Sequence, residues 1–179
     1  MKRLLCVVML LATAGCAQTP YINGRTTKDL PAQVDTIKLD KVVAVDHFPP
    51  FFADPADPEE LVDRQPNPQQ LTIAAEISNV FAETFHRNGI MLINGDTKQP
   101  LQLRIYFQYA DIFISRGLSM KVYICDANGA PLMRFNESHY PKDLLEMALF
   151  TKERMLQMAA SSVAGKTMGE LRKRQTPSP

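Results

Sequence analysis

Three cysteines, three histidines and one Gly-Lys-Thr run are the residues of this chain whose chemistry could define an activity. The run, Ala160-Ser161-Ser162-Val163-Ala164-Gly165-Lys166-Thr167, is one residue short of a phosphate-binding loop, with Ala160 where that loop needs Gly. Such a loop works because backbone N–H groups between a strand and a helix turn toward phosphate. Here the stretch falls inside a helical apolar pattern, where those N–H groups are already used, so no nucleotide is expected. His47, His86 and His139 sit in different elements. None has a partner at the four-residue spacing that puts two metal ligands on one helical face. Asp46 and His47 could form a triad with Ser138 only by meeting in space, and no Gly-x-Ser-x-Gly elbow marks a nucleophile. Asp54, Asp57, Glu59, Glu60 and Asp63 lack the Gly and terminal Glu of a hand-type calcium loop. Cys125, on a strand-like run, reads as a small buried hydrophobe. The expectation is a protein that is not an enzyme and holds no cofactor and no metal.

What survives is the thiol of Cys16. It follows Lys2-Arg3, an apolar run from Leu4 to Ala12 and the small residues Thr13-Ala14-Gly15. A basic start with a short apolar core is a signal peptide, because a permanent membrane helix needs about 20 apolar residues. Thr13-Ala14-Gly15-Cys16 resembles the bacterial lipobox, with Thr13 where the motif prefers Leu. The resemblance implies cleavage before Cys16 and a diacylglyceryl group on its sulfur. Two or more acyl chains, at about 0.8 kcal/mol per buried methylene, hold a protein stably on a bilayer. Ala17, in place of the Asp that resembles an inner-membrane retention signal, implies transfer to the periplasmic face of the outer membrane. Removing residues 1–15 deletes Lys2, Arg3 and Cys6 and no acid, leaving 18 bases against 19 acids. A body so nearly neutral lacks the concentrated basic face that nucleic acid requires. With Cys16 lipidated, Cys125 is left alone, so no disulfide can form within the mature chain and the fold must stand on its core.

The elements follow from periodicity. Residues 16–36 read as the lipidated Cys and a flexible tether, and residues 37–174 as one domain followed by a disordered tail, 175–179. Ile37 to Val45 is an apolar, β-branched run that suits a strand. A Pro- and acid-rich loop occupies 49–68, and Phe48, Phe51 and Phe52 at its start either fold back as a lid or present a partner contact. Asn67-Pro68-Gln69-Gln70 opens a helix with a capping box. Ile73, Ile77, Val80, Phe81 and Phe85 form its apolar stripe, and Gly89 stops it. A short run from Ile90 to Ile93 precedes three alternating strands through Leu101–Tyr109, Leu118–Cys125 and Leu132–Phe135, an antiparallel meander with one wet face. Asp126-Ala127-Asn128-Gly129 supplies a turn between the last two. A second helix is expected from Leu144 to Arg174, its stripe running through Leu144, Ala148, Thr151, Met155, Met158, Ser162 and Val163 and broadened by Ala159.

The fold class is therefore α+β: a single antiparallel or mixed sheet of about four to five strands packed on one face by two helices. This order behind a lipobox resembles the small envelope lipoproteins of Gram-negative bacteria. Among them are the penicillin-binding-protein activator LpoB, with its domain similar to the TolB N-terminal domain, and the lipopolysaccharide-assembly lipoprotein LptE. The resemblance implies a non-enzymatic binding or assembly factor of a cell-envelope machine, anchored through Cys16, with an envelope protein as partner and neither nucleic acid nor nucleotide. A lipid or small-ligand carrier is the alternative, and a hydrolase a more distant one.

If the lipobox functions, labelled palmitate fed to a lipoprotein-processing host enters the wild-type chain and is absent from Cys16→Ser. Equal labelling of the two chains would refute acylation at Cys16.

Overall fold

The computed structural model describes residues 31, 33–45, 62, 65–95, 99–112, 115–141, 146 and 150–175. In chain order the elements are β1 (Thr36–Ala44), α1 (Pro68–Arg87), β2 (Met91–Ile93), β3 (Leu101–Ile112), β4 (Ser115–Asp126), β5 (Pro131–His139) and α2 (Lys152–Gln175). They form an α+β fold with one five-stranded sheet, ordered β2-β1-β3-β4-β5, and two helices. The expected meander is present, since β3, β4 and β5 pair antiparallel. β1 is instead parallel to both its neighbours, β2 and β3, so the sheet is mixed. Parallel neighbours cannot be joined by a tight turn, and α1 makes the crossover. Among the described residues, no helix is long and apolar enough to cross a membrane.

Within β1 the register with β3 slips between Leu39 and Lys41, leaving Asp40 as the extra residue. Without that bulge, strict alternation from Ile37 and Leu39 would point Lys41 into the core. With it, Val42 and Ala44 take the core side. The bulged Asp40 accepts from Arg104 Nε at 2.8 Å, with Lys38 Nζ 3.5 Å away.

α1 is built as its sequence implies. Asn67 Oδ1 accepts from the Gln70 N–H, and Gln70 Oε1 accepts from the Asn67 N–H. Gly89, with φ of 82°, takes the left-handed conformation after the last turn. Ile73, Ile77, Phe81 and Phe85 are buried, with Val80 packed at the margin. The Phe81 and Phe85 rings stack with centroids 6.3 Å apart.

α2 departs from expectation. Phe150 and Thr151 are not helical, and the helix opens at Lys152, where Thr151 Oγ1 accepts from the Arg154 N–H at 3.2 Å. A hydroxyl that could have ridden inside a helix thus serves as its cap, satisfying a donor that the first turn leaves without a partner. Of the residues expected N-terminal to it, Leu144 and Ala148 lie outside the described set, while Glu146 is helical. Met158, expected to face inward, is 40% exposed. The buried stripe keeps the expected Met155, Ala159 and Val163 and runs on through Leu156, Ala160, Ala164, Thr167 and Leu171. Four of these side chains are Ala or Val and let the helix axis approach the sheet. That turns the seam toward Ala160 and Ala164 and carries Met158 out.

The two sheet faces also differ from the simple alternation. Leu101, Leu103, Ile105 and Phe107 of β3 join both helices in the main core. The opposite face, expected to be wet, buries a second cluster of Val45, Tyr106, Tyr123 and Cys125. Val62 pairs with Val45 and packs on this cluster. Tyr106 meets Tyr123 edge-on at 5.7 Å, and the Arg134 guanidinium lies 5.1 Å from the Tyr123 ring centroid. Here Cys125 is buried as expected, and that burial pushes its thiol pKa up. On the same face Gly117 has no room for a Cβ, which would lie 2.1 Å from the ring of Tyr140.

One charge is nearly enclosed. Glu137 on β5 is 6% exposed and faces α2, accepting from Lys166 Nζ at 2.6 Å and from Ser162 Oγ at 2.9 Å. His139 Nε2 is more distant, at 3.5 Å from the second carboxylate oxygen. Burial alone would raise the Glu137 pKa, but the donors around it outweigh that and hold it below its ordinary value.

Phe85→Ala is expected to remove about 3–5 kcal/mol of stability, read from urea unfolding. An unchanged midpoint would mean that this ring is not core. Glu137→Gln should cost about 1–3 kcal/mol near neutral pH, because the amide keeps one acceptor oxygen but removes the charge that Lys166 is paired with and puts an NH2 donor in place of the second oxygen. Because the folded pKa is depressed, the stabilisation from Glu137 is present above the unfolded value of about 4.3 and is lost as pH falls through the folded one. Melting curves of wild type and variant should therefore converge on acidification, and a constant gap would contradict the assignment.

Candidate functional site

Both helices begin at the same end of the sheet, where the β3–β4 hairpin also ends, and between them lies an open polar cleft of about 360 Å³. Gln69, Thr72 and Ile73 come from the first turns of α1. Tyr109 and Asp111 come from the end of β3 and Arg116 from the start of β4. Thr151, Lys152 and Glu153 come from the start of α2. Each wall follows from a local rule. The Asn67 capping box fixes where α1 starts, the Thr151 hydroxyl fixes where α2 starts, and the hairpin register sets Asp111 directly opposite Arg116.

The charges in the cleft are answered by one another. Arg116 Nε donates to Asp111 Oδ1 at 2.9 Å, and this pairing raises the already high Arg116 pKa. Lys152 Nζ lies 2.7 Å from the Glu76 carboxylate of α1, joining the two helices. Glu153 is held below the usual carboxylate range by its own backbone N–H and by the Thr151 hydroxyl. Tyr109 donates to Asp111 Oδ2 at 3.3 Å. Burial, helped by the Asp111 charge, pushes its pKa up to about 12. At neutral pH the phenol keeps its proton, the guanidinium keeps its charge, and Glu153 is ionised. This is a site rich in hydrogen-bonding groups, and the phenol, the guanidinium and the Glu153 carboxylate are all held away from proton exchange near pH 7.

The residues singled out from sequence do not meet here. Cys16, Phe48, Phe51 and Phe52 lie outside the described residues, as do Asp46 and His47. Ser138 is exposed on β5 and His86 is exposed in the last turn of α1. The run from Ala160 to Thr167 lies within α2, as its apolar pattern implies. Its Lys166 is bound to Glu137, and its Thr167 hydroxyl donates to the Val163 carbonyl at 2.8 Å. Among the described residues, no three His, Cys, Asp or Glu side chains stand together as a metal set.

Sequence reasoning missed the cleft. The available signal was an acid and a base five residues apart, Asp111 and Arg116, with Tyr109 before them. No Gly or Asn marks the intervening turn, so the chain gave no cue to fold there. Only the pairing of Ile112 with Ser115 reveals it.

No family model and no curated protein matches this chain. Among solved structures it is similar to the dodecamer of a PelC variant from Paraburkholderia phytofirmans, at 11% identity and a TM-score of 0.43, covering 84% of this chain and 95% of that one. A second PelC dodecamer from the same organism gives 12% identity and a TM-score of 0.42, covering 83% and 94%.

Proposed function

We propose that this chain is a lipid-anchored, non-enzymatic binding or assembly factor of a cell-envelope machine, held through Cys16 on the periplasmic face of the outer membrane. The anchor rests on Thr13-Ala14-Gly15-Cys16 and the placement on Ala17. The observation that carries the binding role is the state of the polar cleft, where Arg116 is bound to Asp111 and Lys152 to Glu76. Glu153 is tied to the start of its own helix. Groups so paired can orient a partner by hydrogen bonds, whereas a general acid or base needs a pKa near the working pH. The layer between sheet and helices favours an adaptor over a carrier. It is filled by Ile77, Phe81, Phe85, Ile105, Phe107 and Met155, and the cleft lies at its edge, open to solvent and carrying charged and hydroxyl side chains beside Ile73 and Tyr109. A carrier would hold an apolar ligand in a largely apolar cavity.

The test is membrane fractionation combined with photo-crosslinking in cells. A crosslinking amino acid at the exposed Gln69 or Leu71, beside the cleft, is expected to capture the same envelope protein from the outer-membrane fraction in repeated experiments. Capture should fall when Cys16→Ser releases the chain from the membrane. Recovery of the wild-type chain in the soluble periplasm, or of crosslinks that are unchanged by Cys16→Ser, would overturn the anchored-adaptor reading.

A further inference from the structure

The geometry points to the cleft as a binding site for a neutral sugar chain. This inference rests on the reading of the cleft as a place of binding rather than catalysis, and it adds a sugar ligand within the cleft to the protein partner proposed beside it.

Charge narrows the choice first. An anion at the spare N–H groups of Arg116 stands beside the carboxylates of Asp111 and Glu153. A cation at the spare oxygens of Asp111 stands beside the Arg116 guanidinium. Either one meets a like charge at close range, where the local potential is already answered by its own counter-ion. A neutral ligand meets neither repulsion and can use the hydrogen-bonding capacity left over.

That capacity has a characteristic form. A guanidinium carries five N–H donors and a carboxylate about four acceptor sites. Arg116 gives its Nε–H to Asp111, and Asp111 takes that bond and one from Tyr109. Spare donors and spare acceptors therefore stand side by side on two planar groups held in fixed register across the hairpin. Adjacent hydroxyls on a sugar ring ask for this arrangement, since each both donates and accepts. Gln69, also exposed on the cleft wall, adds an amide that can do both.

A sugar also has a face of C–H groups that needs an apolar contact. Tyr109 supplies a half-buried ring whose hydroxyl is fixed on Asp111, and buried Ile73 lies beneath. An aromatic ring with its polar tip already tied down presents its face at little cost in lost freedom. The volume of about 360 Å³ lies within the range of small-ligand sites.

The experiment uses the full chain in a detergent without a sugar head group, titrated with hexamers of N-acetylglucosamine, glucose and mannose and followed by calorimetry. The cationic glucosamine hexamer and the anionic galacturonate hexamer serve as controls. At least one neutral hexamer should bind saturably, more tightly than either charged one. Asp111→Asn should weaken it about tenfold, roughly the value of one hydrogen bond to a charged group. Gln69→Ala, at an exposed position, should weaken it several-fold without altering the melting temperature. Tyr109→Phe keeps the ring and should retain most of the affinity, while Tyr109→Ala should abolish it. The sugar site is overturned if no neutral hexamer binds at millimolar concentration, if a charged hexamer binds best, or if Asp111→Asn and Gln69→Ala both leave the affinity unchanged. Mass spectrometry of the same samples separates the two readings. Intact hexamer without binding removes the sugar site alone, whereas shortened products remove the non-enzymatic assignment.

Discussion

The parallel pairing of β1 with both β2 and β3 is the constraint on which the rest of the fold depends. A strand flanked by two parallel neighbours can be reached only by a connection that leaves the sheet and returns, and here α1 is that connection. It lies on the core face, which obliges the sheet to carry a continuous apolar surface there. The Phe81 and Phe85 pair and the small-residue seam of α2 fill it. The same crossover sets the start of α1 near the carboxyl ends of β1 and β3, where Tyr109 and Asp111 lie. In open sheets with parallel strands that end is where ligands collect, because helix starts and strand ends converge there. The cleft thus follows from topology, and its chemistry from the residues that topology brings together.

Two polar ties hold this arrangement in places where apolar packing alone would leave it loose. Lys152 with Glu76 joins the opening turns of the helices. Lys166 and Ser162 with Glu137 fix the edge strand β5 to α2. A nearly enclosed carboxylate is costly unless its lone pairs are met, so the second tie specifies the docking position as much as it stabilises it. The opposite face is closed differently, by Tyr106, Tyr123 and the Arg134 guanidinium around Val45 and Cys125. A sheet covered by helices on one side has acquired a second small core on the other.

These features bear on function through rigidity. Asp111 and Arg116 sit opposite each other in a paired hairpin, and the helix starts beside them are capped by Asn67 and Thr151. A binding surface made of side chains already held by their neighbours loses little freedom when a partner arrives.

The sequence by itself determined what depends on neighbours in the chain. The capping box at Asn67, the stop at Gly89, the Asp126-Ala127-Asn128-Gly129 turn and the alternation of β3 and β4 are local rules, and each was legible because its partners lie within a few residues. The tertiary structure decided what depends on contacts between distant residues. The bulge at Asp40 exists because Arg104 is there to receive it and because Val42, rather than Lys41, must face the core. Thr151 became a cap instead of a core residue, and Met158 a surface one, because the close approach of Ala160 and Ala164 to the sheet fixed the rotation of α2. Tyr106 and Tyr123 fall on the face that alternation alone marks as wet, since a period of two separates the faces of a strand and carries no information about what covers them. The cleft was illegible for the same reason: its walls come from four elements, and no spacing in the chain encodes their meeting.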